Sequence, residues 1–330
     1  MRTSLIVLII IGVGFAIGSL LYFQLGDLNT QLLKQDELRI SGEVLYVENA
    51  NSNSISVIDL ATNTVIRNIS VGNSPHDLKI SQNQETLYST DIDSGTISVI
   101  NTTTNTLIRQ IPTDVSVHGI AIFNDTLYVG DVYGGKVLVI KDGVIKGEIK
   151  VGSGPEYMEV SPNGKFLYVA NLWSPISVVD LEENKVIKEI DSGKTPHGLL
   201  FTNDGSRLFI VNMKSNTLSI IDAEKHEIIK TIAVGERPEF VALTPDESLA
   251  YVTNLGSDTI SIIDTRSFEV VNEIQVGDGP HGIAFSSDGD FAYVSNMNSN
   301  DVSVIDTASN KVVATIPVGI EPHQLVIKMP

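Results

Sequence analysis

The stretch VGDGPHGIAFSSDGDFAYVSN at residues 276–296 carries the phrase that decides the fold. It consists of a glycine turn, a proline, a histidine and two short apolar runs separated by a second turn. Versions of it occur seven times, and the position held here by His281 is always histidine or glutamate. These positions are His76, His118, Glu156, His197, Glu239, His281 and His323, at spacings of 42, 38, 41, 42, 42 and 42 residues. Such a period in a chain of 330 residues indicates one closed array of similar units.

Each unit contains four short apolar runs with turn residues between them. In the last full unit the runs lie at 282–286, 291–295, 301–305 and 311–316. Ser287-Asp288-Gly289 is typical of a hairpin between the first two runs, because glycine adopts positive φ without strain. The runs lack the 3.6-residue period of a helical solenoid. Four strands in about 42 residues are the signature of a propeller blade, so the sequence predicts an all-β fold.

The number of blades follows from the second run of each unit. It occurs seven times, at residues 45–47, 87–89, 127–129, 167–169, 208–210, 250–252 and 292–294. The first unit has no innermost strand before it, whereas the last phrase is followed only by the strand at 324–328. The two halves complete each other, which predicts a seven-bladed β-propeller closed by the C-terminal strand. Pairing of this strand with residues 43–71 removes the open edge of a linear array.

The N-terminal segment predicts a membrane anchor. Residues 5–23 are apolar and carry no charge, and as a helix they would span roughly 28 Å, close to the thickness of the hydrocarbon core. We therefore expect a cytoplasmic start at 1–4, a transmembrane signal anchor at 5–23, a stalk at 24–41 and the propeller at 42–330. Arg2 favours a propeller outside the cytoplasm, in the periplasm or at the cell surface. The alternative is a signal cleaved near residues 16–18, which would give a secreted protein.

The amino-acid composition restricts the classes of partner and ligand that the protein can bind. The formal net charge is −18, which repels phosphate backbones and argues against nucleic acid. Cysteine is absent, so thiolate ligands and a cysteine nucleophile are excluded. We expect a monomeric propeller whose partners are the membrane, through residues 5–23, and a protein or other envelope component.

Short signatures in the second strands indicate a family. Residues 251–254 read YVTN, and residues 168–171 and 293–296 read YVAN and YVSN. Over about residues 42–330 the chain resembles the YVTN-type seven-bladed propellers, with distant kinship to lactonase-type propellers and to those of nitrite and nitrous-oxide reductases. The resemblance implies a surface or periplasmic propeller. Nitrous-oxide-reductase propellers place a copper cluster on hub histidines, which implies copper here, but their cysteine-containing second domain is missing.

The seven repeated positions form the candidate site. In an up-and-down blade they share a face with the loops between second and third strands, so they should ring the mouth of the central funnel. Imidazole and carboxylate ligands suit a divalent metal such as zinc or copper. Two alternatives stay open, a hydrogen bond to a turn in every blade and a polar pocket for an organic ligand. The same face should carry four further candidate binding residues, Trp173, Tyr133, Met213 and Met297.

These observations favour a non-enzymatic function, although the sequence leaves open whether the protein is an enzyme. No nucleophile constellation is present, and no catalytic or organic-cofactor residue is assigned. We expect a membrane-anchored extracytoplasmic scaffold that binds a partner through its funnel face. The alternative is a metal-binding propeller with redox or hydrolytic activity. A lactonase-like hydrolase comes third, because the expected ring is richer in imidazole than in the carboxylates of a calcium site.

Overall fold

The computed structural model describes residues 42–330. The predicted cytoplasmic start, transmembrane anchor and stalk at 1–4, 5–23 and 24–41 lie outside the described residues. Within 42–330 no helix is long and apolar enough to cross a membrane. A single turn of 3-10 helix, Ala50–Ser52, interrupts a molecule built from strands in this part of the chain.

Seven four-stranded antiparallel sheets form the blades, which confirms the predicted all-β seven-bladed propeller. The innermost strands are β4 (Pro75–Ile80), β8 (Val117–Phe123), β12 (Pro155–Val160), β16 (Pro196–Phe201), β20 (Pro238–Leu243), β24 (Pro280–Phe285) and β28 (Pro322–Lys328). The second strands are β1 (Val44–Asn49), β5 (Thr86–Asp91), β9 (Thr126–Asp131), β13 (Phe166–Asn171), β17 (Arg207–Asn212), β21 (Leu249–Asn254) and β25 (Phe291–Asn296).

The outer half of each blade consists of a third and a fourth strand. The third strands are β2 (Ser54–Asp59), β6 (Thr96–Asn101), β10 (Lys136–Lys141), β14 (Ile176–Asp180), β18 (Thr217–Asp222), β22 (Thr259–Asp264) and β26 (Asp301–Asp306). The fourth strands are β3 (Thr64–Ser70), β7 (Thr106–Pro112), β11 (Val144–Lys150), β15 (Lys185–Ile190), β19 (Glu227–Ala233), β23 (Glu269–Gln275) and β27 (Lys311–Pro317). Second and third strands are buried on both faces because each blade is packed between two others, whereas the fourth strands are largely exposed.

The C-terminal strand closes the ring as the sequence predicts. β28 pairs antiparallel with β1, so that Leu45 faces Ile327 and Val47 faces Leu325. The composite sheet has the order β28-β1-β2-β3. Leu325 and Ile327 also join a buried cluster that includes Val302 of the preceding blade. Both ends of the propeller are therefore held in one sheet, and the first blade has four strands like the other six.

Local chemistry explains the hairpins between third and fourth strands. The third strand usually ends in aspartate, as in Asp264, whose Oδ1 accepts the backbone N–H groups of Arg266 and Ser267 at 2.9 and 2.7 Å. Asp222 accepts from Glu224 and Lys225 in the same way. A side chain that satisfies two turn amides stops the strand and fixes the reversal. These aspartates are turn residues, and they lie away from the propeller axis.

Candidate metal centre

A β-bulge at the start of each innermost strand sets the position of the ring residue, where the ring means the seven repeated histidines and glutamates. In β4, Pro75 pairs with Asp91 and Asp77 with Thr90, so His76 is the extra residue between two successive pairs. Register shifts at the same place occur in all six other innermost strands. Bulges change the direction in which a side chain points. The sequence gives no sign of this shift, which has to be read from the pairing.

Backbone hydrogen bonds confirm that the ring shares a face with the loops between second and third strands. The N–H of Leu172 donates to the carbonyl of Gly154 at 2.8 Å, two residues before Glu156. Met297 donates to Gly279, two residues before His281, at the same distance. The equivalent bond is present in all seven blades. Each loop is thereby fixed to the turn that introduces its ring residue.

The ring lies deeper than the expected funnel mouth. Side-chain exposure is 12% for His76 and 15% for His118, and it is lower for Glu156 and Glu239. The reason is that seven innermost strands crowd the axis, and two aromatic residues that follow ring positions fill the space beside them. Tyr157 and Phe240 lie 4.7 Å apart by ring centroid. The ring is therefore a mostly buried hub around the axis.

Sequence reasoning missed Tyr157 and Phe240, although a signal existed. The residue after the ring position is glycine in three repeats but aromatic in these two. At Gly198 a Cβ atom would lie 2.5 Å from the carbonyl oxygen of Glu239, so glycine permits close approach of neighbouring strands. Tyr157 instead places its hydroxyl 3.4 Å from Nδ1 of His76.

Three ring members converge, and we call them the triad: His76, His118 and Glu156. Nδ1 of His118 lies 3.0 Å from Oε2 of Glu156, and Nε2 of His76 lies 3.6 Å from Oε1. One ligand atom from each residue falls within 4.8 Å of the others. Among residues 42–330 this is the only group of three such side chains that meets.

The geometry of the triad is compatible with a set of metal ligands. Nδ1 of His118 and Oε2 of Glu156 are buried and face each other in an ion-pair contact whose angles do not meet those of a hydrogen bond. Ligand atoms of a tetrahedral zinc site, at about 2.0–2.1 Å from the ion, lie about 3.3 Å apart. The two measured separations bracket that value. Two imidazoles with one carboxylate also form a known catalytic zinc set that leaves a coordination position open.

The remaining four ring members divide into two pairs. Nδ1 of His197 lies 2.9 Å from the carbonyl oxygen of Glu239 and 3.2 Å from its Oε2, so this imidazole is satisfied. His281 and His323, which we call the open pair, stack with ring centroids 4.8 Å apart. Nδ1 of His281 and Nδ1 of His323 have no hydrogen bond among the described residues, and Nε2 of His323 faces Oε1 of Glu321 at 3.5 Å. The expected hydrogen bond from a ring residue to a turn is thus absent in the open pair.

Burial favours the neutral form of His76 and His281. Burial and the neighbouring imidazoles, His323 first, lower the pKa of His76 well below its ordinary value. Burial followed by the proximity of His323 and His197 has the same effect on the pKa of His281. A neutral imidazole has a free lone pair, which is the form that binds a metal ion.

Buried carboxylates beside the ring were also missed. Asp77 follows His76, and burial raises its pKa to about 7, against the opposing influence of Lys79. Glu48 is fully buried and accepts the hydroxyl of Ser89 at 2.8 Å. Glu48 occupies the place where, in another blade, the hydroxyl of Thr253 donates to the carbonyl of His281 at 2.6 Å. In the first blade a carboxyl group, that of Glu48, therefore takes the position that a threonine hydroxyl has in the other blade.

The expected binding-face residues lie on loops around the hub. Trp173 and Tyr133 are 60% and 78% exposed, and their rings lie 6.5 Å apart. Gly154 allows this position of the tryptophan, because a Cβ atom there would lie 2.8 Å from the indole ring. Met213 and Met297 are half-buried in the corresponding loops of later blades. The structure brings the two aromatic residues together but does not bring the methionines to them.

The description "Lactonase, 7-bladed beta-propeller" belongs to the family model that matches residues 148–317. That match covers more than half of the chain. The chain belongs to this family of propellers. None of the curated proteins matches its sequence.

Solved structures share the fold at low identity. A protein of unknown function from Desulfotomaculum acetoxidans is 17% identical with a TM-score of 0.76, covering 87% of this chain and 99% of its own. A candidate 6-phosphogluconolactonase from Bacteroides fragilis is 17% identical with a TM-score of 0.71, covering 87% and 98%. Dihydro-heme d1 dehydrogenase NirN, solved in complex with DHE, is 15% identical with a TM-score of 0.67, covering 86% and 74%. At these identities the likeness establishes the architecture of the propeller alone.

Proposed function

We propose that the hub of this propeller binds zinc or copper through the triad and uses it for hydrolysis. The observation that carries the proposal is the convergence of His76, His118 and Glu156, whose carboxylate lies 3.0 Å from one imidazole nitrogen and 3.6 Å from the other. A metal ion contacted by all three side chains accounts for their convergence in one buried cluster.

Membership of the lactonase family favours hydrolysis over redox chemistry. A zinc ion held by His76, His118 and Glu156 would lower the pKa of a coordinated water to about 7 and would polarise a carbonyl oxygen. Hydrolysis of a lactone adds the oxygen of water to the acyl carbon and breaks the ring acyl–oxygen bond. One proton of the water goes to the leaving alcohol and the other to solvent, which gives a hydroxy acid in its carboxylate form. His76 and His118 are the most exposed members of the triad, with side-chain exposures of 12% and 15%.

Metal analysis of the purified chain tests the proposal. After removal of metal with a chelator and dialysis against zinc, wild type should retain about one zinc ion per chain. His118→Leu and Glu156→Gln should lose it. His226→Leu is the matched control, since His226 is the one histidine outside the ring and contacts Tyr168 and Phe166 between blades. No retained zinc in wild type, or zinc retained equally in all variants, would refute the metal site.

A second readout separates binding from catalysis. Zinc-loaded wild type should hydrolyse δ-valerolactone, followed by acid release in weakly buffered solution, and the Glu156→Gln variant should not. Full zinc occupancy without hydrolysis of this or other simple lactones would support the metal site and refute the hydrolytic function.

A second candidate function is an anchored extracytoplasmic scaffold that binds an envelope protein through its funnel face. It is supported by the exposed Trp173–Tyr133 pair, since two adjoining exposed aromatic residues are typical of interface anchors. Residues 5–23 would supply the membrane anchor and place the propeller in the periplasm or at the cell surface. Cell fractionation with protease treatment of intact cells tests this localisation. A protein found entirely in the soluble cytoplasmic fraction would contradict it.

A further inference from the structure

The open pair lies directly beside the triad. The imidazole of His323 is centred 5.1 Å from that of His76, and the imidazole of His281 is 6.5 Å from it. Both side chains are buried, with residue exposures of 9% and 4%. A ligand held at the triad would therefore have these two histidines as neighbours.

Two nitrogens of the open pair, Nδ1 of His281 and Nδ1 of His323, have no hydrogen bond among the described residues. Nε2 of His323 faces Oε1 of Glu321 at 3.5 Å, and the other carboxylate oxygen of Glu321 accepts a hydrogen bond from Asn51. His197, the third histidine on this side, differs because its Nδ1 is satisfied by Glu239. The lack of partners is therefore a property of the open pair and is not shared by every histidine in the ring.

The chemistry of the open pair differs from that of the triad. Within residues 42–330 the triad is the only set of three histidines or carboxylates whose ligand atoms converge. Imidazoles present both a donor and an acceptor when neutral, so they pair well with hydroxyl and carbonyl oxygens. Phe240 lies 5.4 Å from His281 and adds an apolar surface next to these nitrogens. The surroundings fit a small molecule that has both oxygens and methylene groups.

We propose that His281 and His323 bind the carbonyl and hydroxyl oxygens of a small lactone, or of the hydroxy acid formed from it, beside the metal ion held by the triad. This inference rests on the proposed function, whose site it extends from metal binding to substrate recognition. It assigns the two halves of the hub different tasks: His76, His118 and Glu156 hold the metal ion, and the open pair orients the organic ligand.

Titration of the cobalt-loaded full-length chain with 5-hydroxyvalerate tests the proposal. Cobalt(II) takes the place of zinc and reports ligand binding through its visible absorption bands. His281→Leu and His323→Leu should each bind cobalt as wild type does but should weaken binding of 5-hydroxyvalerate by roughly tenfold or more. His226→Leu should match wild type in both measurements. With δ-valerolactone as substrate, the two variants should show a raised KM at full metal occupancy.

Two outcomes overturn the inference, and they are distinguishable from failure of the metal site. Full cobalt occupancy with no binding of 5-hydroxyvalerate to wild type would refute it. Full occupancy with unchanged affinity in both variants would refute it as well. If wild type binds no cobalt at all, the proposed function fails, and this inference fails with it. Circular dichroism of each variant shows whether a loss of affinity arises from unfolding.

Discussion

The hydrogen bonding of the hub predicts that His281 destabilises the metal-free protein, whereas the neighbouring His197 stabilises it. The perturbation is a pair of identical substitutions, His281→Leu and His197→Leu. Both side chains are buried, at 4% and 5% exposure, and their rings are 6.2 Å apart. They differ in one respect, because Nδ1 of His197 is bonded to Glu239 whereas Nδ1 of His281 has no hydrogen bond within residues 42–330.

The magnitudes follow from that difference. Leucine at 281 removes an unpaired buried polar atom, which costs about 1–3 kcal/mol, and it adds buried apolar surface. The free energy of unfolding should therefore rise by about 1–3 kcal/mol. Leucine at 197 removes a hydrogen bond worth about 0.5–1.5 kcal/mol and leaves the buried carboxyl of Glu239 without the imidazole that faces it. Here the free energy of unfolding should fall by about 1–3 kcal/mol.

Urea unfolding at neutral pH in the presence of a chelator measures both effects. The chelator matters because a metal ion bound to the folded state alone would add its own stabilisation. The two variants should move the unfolding midpoint in opposite directions with an unchanged slope. If His281→Leu destabilises the protein as much as His197→Leu does, the reasoning from unpaired nitrogens is wrong.

Three further predictions concern the scaffold. Gly277→Ala should destabilise the protein by about 1–3 kcal/mol, since its Cβ would lie 2.5 Å from the Asn296 side chain. Gly147→Ala should stabilise it by about 0.4–1 kcal/mol, because a Cβ atom there meets nothing within 4 Å. Equal urea midpoints for the two variants would contradict this expectation. Burial raises the pKa of Glu48 well above its ordinary value, so wild type should lose stability as pH rises through that pKa. Glu48→Gln removes this loss, so the variant's free energy of unfolding relative to wild type should increase between about pH 5 and about pH 8 in urea unfolding. A difference that does not change with pH would refute the raised pKa of Glu48. Removing residues 321–330 deletes β28 and should abolish cooperative unfolding. The free energy lost with its strand pairing and its buried side chains approaches the total stability of a typical domain, about 5–15 kcal/mol. A truncated chain that still unfolds cooperatively would contradict the role of β28 in closing the ring.

The architecture could be predicted because it is encoded in short-range chemistry that repeats. Asp264 ends its strand through its own side-chain hydrogen bonds, and a sequence position with that role is recognisable without a structure. The closing strand was predictable for a related reason, since the first unit lacks an innermost strand and the last has one to spare. The predicted anchor at 5–23 stays a prediction, since it lies outside the described residues.

The candidate site could be predicted only as a set of seven equivalent positions. A repeat places His118 and His197 alike in sequence, yet one lies in the triad and the other bonds to Glu239. Their difference arises from neighbours that the repeat does not conserve, such as Tyr157 packed between His76 and His197. The bulge that holds each ring residue depends on pairing between strands, and depth depends on how closely seven strands approach the axis. Both are tertiary properties with no local sequence signal.

Anomalous scattering from crystals of the zinc-loaded protein tests the central claim most directly. Data collected on both sides of the zinc absorption edge locate the ion without reference to activity. The triad predicts one strong anomalous peak bounded by Nε2 of His76, Nδ1 of His118 and the carboxylate of Glu156, and no such peak in the Glu156→Gln variant. A hub without anomalous signal at full zinc saturation, or a peak only on the exposed carboxylates of the surface, would contradict the account.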